Sequence, residues 1–411
     1  MIQPGPRADA PATRVIATVC VAQTLAQLGG FTFAALLPLF FSEWSLTHTE
    51  AGWLSGIFFG AYAVSVPVLV TLTDRWPARN IYLFAVCVTA LAHVGMAWLA
   101  DGFWAALGFR ILAGVGWAGT YMVGLRALTD ELSGASKSRG VAFHAASIGI
   151  AGALSFLIAG IVVANLDWEW AFILAGVTAG IALVVAALAF PRRAPPPRDA
   201  ALFDFRPVFR NRSAMAYTTG YFAHTWEMFV LRSWAVTFLV FAAADADPLV
   251  LIVAPTVAAM LMELTGTLTS VVGNEMALRI GRKRWILLVM ATSIVLATSV
   301  GFTAGLGYGA TVIAALIYNA VIYADSASLT AGTVGSADPD RRGATLAMHA
   351  MMGYTGGFIG PVVFGVTMDG LGGESVVNWG LSFSHVAVIG LLGPLALILL
   401  RPKVIPGEER T

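Results

Sequence analysis

Charge is what this sequence has least of. Asp, Glu, Lys and Arg make up 11% of its 411 residues, against roughly 25% in ordinary soluble domains. So few charges cannot cover the surface of a water-soluble protein of this size. The balance is also nearly neutral, with 24 Lys plus Arg against 23 Asp plus Glu and a formal net charge of +1. The basic excess of a nucleic-acid binder is therefore absent, and no nucleic-acid partner is expected. Cysteine is scarce as well. Cys20 and Cys87 both sit in apolar runs, and read as small packed hydrophobes rather than a disulfide framework. No Gly-rich phosphate loop ending in Gly-Lys-Ser/Thr exists, which argues against ATP drive. No histidine pair has metal-ligand spacing, and no nucleophile motif is visible. Neither an enzyme nor a bound cofactor is expected. What the sequence has in abundance is apolar side chains, at 58%. That content excludes disorder and points to a polytopic membrane protein.

Apolar runs of about 20 residues or more recur along the whole chain, long enough to cross roughly 30 Å of hydrocarbon. Twelve spans are predicted, with approximate limits 14–41, 50–72, 81–100, 103–126, 140–164, 170–190, 214–243, 249–276, 285–305, 308–332, 343–368 and 378–400. The first is too long for a signal-peptide core and has no convincing cleavage site, so it counts as a retained span. Long continuous runs favour helices over a barrel. The basic residues test this count. All but two of the 24 fall before span 1, after span 12, or around the 2–3, 4–5, 6–7, 8–9 and 10–11 loops. The opposite loops, near 42–49, 101–102, 165–169, 244–248, 306–307 and 369–377, contain no Lys or Arg. By the positive-inside rule both termini face the cytoplasm, from the plasma membrane or a bacterial inner membrane. Trp44, Trp104, Trp168, Trp170 and Trp379 fall at the other interface, as an aromatic belt would. The stretch 191–213 is rich in Pro and Arg and reads as a cytoplasmic linker, its arginines resting on anionic headgroups. The expected organisation is a six-helix bundle over 1–190, the linker, and a second six-helix bundle over 214–411.

The two halves echo each other. Leu72-Thr73-Asp74-Arg75-Trp76-Pro77-Ala78-Arg79 follows span 2, and Leu278-Arg279-Ile280-Gly281-Arg282-Lys283 follows span 8. Arg139-Gly140 and Arg342-Gly343 open spans 5 and 11. A weak six-span repeat is what a transporter built from two similar bundles shows. At this point the sequence resembles the major facilitator superfamily. Its 2–3 loop motif, G-x-L-x-D-R-x-G-R-K, is matched at Leu72, Asp74, Arg75 and Arg79, with Val70, Pro77 and Ala78 in place of its glycines and first basic residue. The 8–9 copy keeps Arg279, Gly281, Arg282 and Lys283, with Leu278 replacing the acid. The helix 4 motif, R-x-x-x-G-x-G-x-A, is matched at Arg110, Gly114, Gly116 and Ala118. The resemblance implies two six-helix bundles, alternating access, and a central cavity lined by helices 1, 4, 7 and 10. It also implies a gating role for Asp74, Arg75, Arg79, Arg279 and Arg282, whose pairs hold one state and break in the other.

An ionisable group inside a span costs at least roughly 2.5–3.5 kcal/mol at the centre, so each is a functional candidate. Arg110 must face water, a carboxylate or an anionic substrate, unless it is a structural arginine bonded to carbonyls of helix 1. His224 and Glu227 are three apart on span 7, hence on one face, and form a candidate protonatable pair. Arg232 lies five beyond Glu227, about 140° round by helix geometry. Either that helix bends or the two meet different partners. Glu263 on span 8 either pairs permanently with Arg232 or takes a proton during the cycle. Asp325 on span 10 is a further proton carrier. Pairs four apart, Gln23 with Gln27, Trp117 with Tyr121, and Asn319 with Tyr323, share helix faces and are candidate substrate contacts, although such groups also join helices. His93, His144, His349 and His385 read as histidines bonded to backbone carbonyls.

The expectation is thus a monomeric secondary transporter that moves a small organic solute by alternating access, coupled to protons, as a symporter. Two membrane arginines favour an anionic solute. An exporter of hydrophobic or cationic compounds is the alternative, and a transporter-like sensor a remote one.

Overall fold

The computed structural model describes residues 12–73, 75–190, 192, 205–244, 253–339, 341–405 and 408. Among the described residues there is no strand. Twelve helices are long and apolar enough to cross a membrane. They are α1 (Ala12–Glu43), α2 (His48–Leu72), α3 (Ala78–Leu99), α4 (Phe103–Thr129), α5 (Gly134–Val163), α6 (Glu169–Ala189), α7 (Arg212–Ala243), α8 (Pro255–Ile280), α9 (Arg282–Leu306), α10 (Tyr308–Ser336), α11 (Arg342–Gly370) and α12 (Val376–Leu400). Of the 191–213 stretch, the described part holds a one-turn helix, Arg206–Arg210. Arg193 and Arg198 lie outside the described residues, and so does Asp74.

Four of these spans are not continuous α-helices: α9 ends in a 3-10 stretch, Gly301–Leu306, α12 is interrupted at Leu391, and α1 and α10 break beside candidate site residues. α1 stops after Gln27 and restarts at Thr32. The breaker is the Gly29-Gly30 pair, where a Cβ on Gly30 would lie 2.1 Å from the Trp117 ring. α10 stops after Tyr323 and restarts at Ser326, which leaves Asp325 at the junction with no side-chain cap to make.

The first six helices meet the last six along two seams, α2 against α11 and α5 against α8, with α1 touching α7. Small residues set these approaches, as they must where lipid supplies no hydrophobic push. A Cβ on Gly52 would sit 2.5 Å from the Pro361 carbonyl oxygen, and one on Gly365 2.1 Å from that of His48. Across the other seam, Gly149 faces Thr267 and Gly160 faces Thr256. Larger rings fill the space between. Trp234, Phe238, Phe364, Trp379 and Phe383 form one buried aromatic cluster in the second half. Trp379 is therefore core, and Trp168 is buried against Phe40 and Phe172. Only the exposed Trp104 and Trp170 suit a lipid-facing belt. Cys87 is exposed rather than packed.

Candidate functional site

α7 runs unbroken from Arg212 to Ala243, buries an acid and a base, and carries a partly buried guanidinium. Because it does not bend, Glu227 and Arg232 project in different directions and find different partners. Glu227 Oε1 accepts from Ser293 Oγ on α9 (2.6 Å) and from the Tyr318 hydroxyl on α10 (2.7 Å). It meets no cation there. His224 does not pair with Glu227. Its Nδ1 lies 2.9 Å from Asp325 Oδ1, the carboxylate freed by the break in α10. Behind it, Tyr221 stacks on His349 at 3.9 Å between ring centroids. The two ring nitrogens of His349 lie 3.2 and 3.0 Å from the hydroxyls of Thr330 and Thr333. A polar chain thus runs from α11 through α7 to the junction of α10.

Arg232 takes the second of the two roles open to it from sequence. It donates through Nε to Glu263 Oε1 (2.6 Å) and through Nη2 to Glu263 Oε2 (2.5 Å). Such a two-point fork is the strong form of this pair. Arg232 also donates to the Tyr323 hydroxyl, and its guanidinium lies 4.5 Å from the Phe31 ring centroid at the break in α1. The pair is therefore built into the seam between the halves, where a Cβ on Gly152 would come 2.9 Å from Glu263 Oε2.

Arg110 on α4 is also buried, and among the described residues it meets neither a carboxylate nor helix 1 carbonyls. It donates to the carbonyls of Leu54 (2.8 Å) and Ser55 (3.4 Å) on α2. The rings of Phe33 and Phe58 flank it at 5.0 and 4.6 Å. Gln27 donates to Thr120 Oγ1 (3.2 Å), whereas neither amide atom of Gln23 has a hydrogen-bond partner among the described residues. Trp117 packs against Phe31 and Phe58. Asn319 is turned away from the centre and donates to the Met262 carbonyl (2.6 Å), which makes it a link between α10 and α8.

Between the halves lies a group of phenols. Tyr62 of α2 and Tyr354 of α11 approach to 3.9 Å between centroids, beside Phe59 and Phe229, themselves 3.9 Å apart. Tyr121 of α4 and Tyr221 of α7 lie within electrostatic range of both. Tyr121, Tyr221 and Tyr354 are half-buried although they sit among helices. Four helices therefore present hydroxyl-bearing rings to one central region. Sequence reasoning picked out Tyr121 alone of these four. The only signal for Tyr62, Tyr221 and Tyr354 was the scarcity of tyrosine, nine in all.

One end of this region is clamped. Asp369, at the end of α11, accepts from four donors at the start of α2. They are His48 N (3.1 Å) and Nδ1 (2.8 Å), and Thr49 N (2.8 Å) and Oγ1 (2.6 Å). A carboxylate at a helix N-terminus is favourably placed. Thr47 and Glu50 close a capping box that fixes this terminus. At the other end the gating candidates divide. Arg75 and Arg279 are exposed. Arg79 donates to the carbonyls of Phe190 (3.1 Å) and Ala187 (2.7 Å), which joins α3 to α6. Arg282 is buried and pairs with Glu408 (2.5 Å), while also donating to Asn274 Oδ1 and the Ser328 carbonyl. Asp74 lies outside the described residues. Among the described residues, no group of three or more His, Cys, Asp or Glu could hold a metal ion.

The profile described as Major Facilitator Superfamily matches residues 19–361. Human protein spinster homolog 1 is 26% identical over 242 residues, which cover 55% of this chain and 45% of that protein. The chain thus spans about half the length of the spinster relatives it matches. In solved structures the same architecture recurs at 14% identity. A bacterial homolog of the human lysosomal transporter spinster, inward-facing and unoccupied, superposes with a TM-score of 0.74 over 96% of this chain and 97% of that one. The nucleoside transporter NupG gives 0.72 over 95% of this chain and 99% of its own. With twelve apolar helices, a polar seam between two sets of six and a family match over most of its length, this chain belongs to the Major Facilitator Superfamily and is a multi-pass membrane protein.

Proposed function

We propose that this monomeric transporter moves a small organic solute by alternating access, driven by protons, with the phenol-lined centre between α2, α4, α7 and α11 as its solute site. The moving bodies are 1–190 and 214–411, joined by 191–213. Both termini are cytoplasmic in the cell membrane, on the charge asymmetry of the loops. The observation that carries the reading is the pairing of a clamp with a polar centre. The Asp369 contacts seal one end, and the Tyr62–Tyr354 ring contact joins the halves further along α2 and α11. The centre is then open toward the cytoplasm. Arg75, Arg79, Arg279, Arg282 and Asp74 gate that opposite face.

Both membrane arginines are engaged, Arg232 by Glu263 and Arg110 by carbonyls and rings. An anionic solute would have to displace one of these sets. The geometry favours a neutral solute that hydrogen-bonds and stacks on tyrosine, with Gln23, Gln27, Trp117 and Tyr323 as flanking contacts. Nucleosides, named in the description of the structural neighbour NupG, belong in the first panel tested. Proton carriage falls to Glu227 and to His224 with Asp325. Glu227, which meets hydroxyls but no cation, also supports export of cationic compounds as the second reading.

The test is uptake into proteoliposomes with and without an inward-acid pH gradient, across neutral, anionic and cationic solutes. A solute should be concentrated only with the gradient, and Tyr354→Phe with Tyr221→Phe should raise its KM at least tenfold. Indifference to the gradient removes the coupling. Unchanged KM removes the phenol site.

A further inference from the structure

At the cytoplasmic-gate end, the last turn of α12 and the first turn of α7 line an open groove of about 490 Å³. It is lined by Arg212, Ser213, Ile398, Leu399, Leu400, Arg401 and Lys403. A second lobe of about 610 Å³ shares Arg212, Ser213 and Lys403, and adds Arg210 and Asp338 among its walls. The shape is held by backbone. Arg401 turns the chain off α12 in a left-handed conformation (φ +48°), which costs a non-glycine residue free energy. Lys403 N then donates to Ser213 Oγ (3.1 Å), and Ile405 packs against Gly335 of α10. This strap brings Arg401 and Lys403 next to Arg212 at the positive end of α7.

Two properties of the first lobe point to one class of ligand. It is basic without internal compensation, since among the described residues none of Arg212, Arg401 and Lys403 is in an ion pair. Arg212 Nη2 reaches only the Leu399 carbonyl, at 3.5 Å. The one acid, Asp338, lines the other lobe. The remaining wall of the first lobe is apolar and faces outward, with Ile398 50% and Leu399 66% exposed. Three cations at the membrane-facing edge, above an aliphatic strip, match a phosphoryl headgroup with its acyl chains lying along α12.

We propose that this groove between α7, α12 and the C-terminal strap is a binding site for an anionic phospholipid. Arg212, Arg401 and Lys403 hold its headgroup, and Ile398 and Leu399 bear its chains. The site is independent of the solute pathway and of the reading given to that pathway.

The test uses the full chain, delipidated in detergent, with dioleoyl-phosphatidylglycerol, dioleoyl-phosphatidylcholine or inorganic phosphate as probe. Bound lipid is counted by native mass spectrometry and Tm is followed in parallel. Phosphatidylglycerol should bind and raise Tm, and the other two should not. R212Q/R401Q/K403Q should weaken that binding about fivefold per charge removed. R279Q/R284Q, which removes basic residues from the same end but outside the groove, should leave it within twofold. If the triple variant does not fold, R401Q alone decides, with about a fivefold loss expected. Equal binding of phosphatidylcholine overturns the proposal, as does an equal response to inorganic phosphate, which would mark a free-anion site. Retention by the variant does so too.

Discussion

The two halves hold one membrane arginine each and treat it in opposite ways. Arg232 in the second half is neutralised at two points by Glu263 and braced by Tyr323. Arg110 in the first half has two carbonyls and two rings, and among the described residues no acid. The same asymmetry holds more widely, for Glu227, Glu263 and Asp325, the buried carboxylates of the twelve helices, all lie in the second half. Among the described residues, the first half therefore sets a buried arginine and two buried histidines, His93 and His144, against the three buried carboxylates of the second. A proton-driven cycle needs only one half to titrate while both move.

The sharpest test of this contrast removes each arginine in turn. Arg232→Met strands Glu263 as a buried unpaired acid and should cost about 3–5 kcal/mol of stability. Adding Glu263→Leu should return most of it, because no lone charge is left. Arg110→Met strands no acid and loses only hydrogen bonds to carbonyls, so a cost of about 1–2 kcal/mol is expected. Thermal unfolding in one detergent compares the three. Equal losses for the two single variants would erase the distinction between the halves.

A smaller effect is expected at the clamp. Asp369 is about one-third exposed on its side chain, so Asp369→Asn should lower stability by only about 1 kcal/mol. Its larger consequence is conformational, since four donors of α2 lose a full charge between them. A cysteine introduced by Phe41→Cys, close to His48 and Trp234, should react with maleimide several-fold faster in the Asp369→Asn background. An unchanged rate would mean that the clamp does not set the state.

The span count was legible because lipid imposes it. Twelve apolar runs and one-sided basic loops are properties of the chain alone. The breaks were not. α1 is interrupted at Gly29-Gly30 because Trp117 of α4 fills the space, and a pattern within span 1 cannot register that. Helix geometry correctly denied Arg232 a bond to Glu227, and it allowed Glu263 as the alternative. It could not say that His224 would turn to Asp325, because that choice depends on a junction in α10 about a hundred residues away. The Asp369 clamp left no trace either, since its partners are more than 300 residues apart and the Thr47-Glu50 capping box at one end does not say what meets that helix start. Local periodicity reports which face a residue occupies. It is silent on which helix that face will meet.

The least costly substitution is also the most informative about mechanism. Glu227→Gln keeps an oxygen that can accept from Ser293 and Tyr318, keeps the volume, and removes only the capacity to carry a proton. Its effect on stability should stay within about 1 kcal/mol. If the second half carries the proton at Glu227, gradient-driven accumulation of solute should fall at least tenfold. Counterflow of the same solute, which needs alternating access but no net proton movement, should persist. Loss of both would assign Glu227 to the moving scaffold, and retention of both would leave His224 with Asp325 as the site of coupling. The matching change in the first half, Gln23→Leu, alters a buried polar group that cannot titrate. It should change both assays together, so the two variants separate proton chemistry from packing within one experiment.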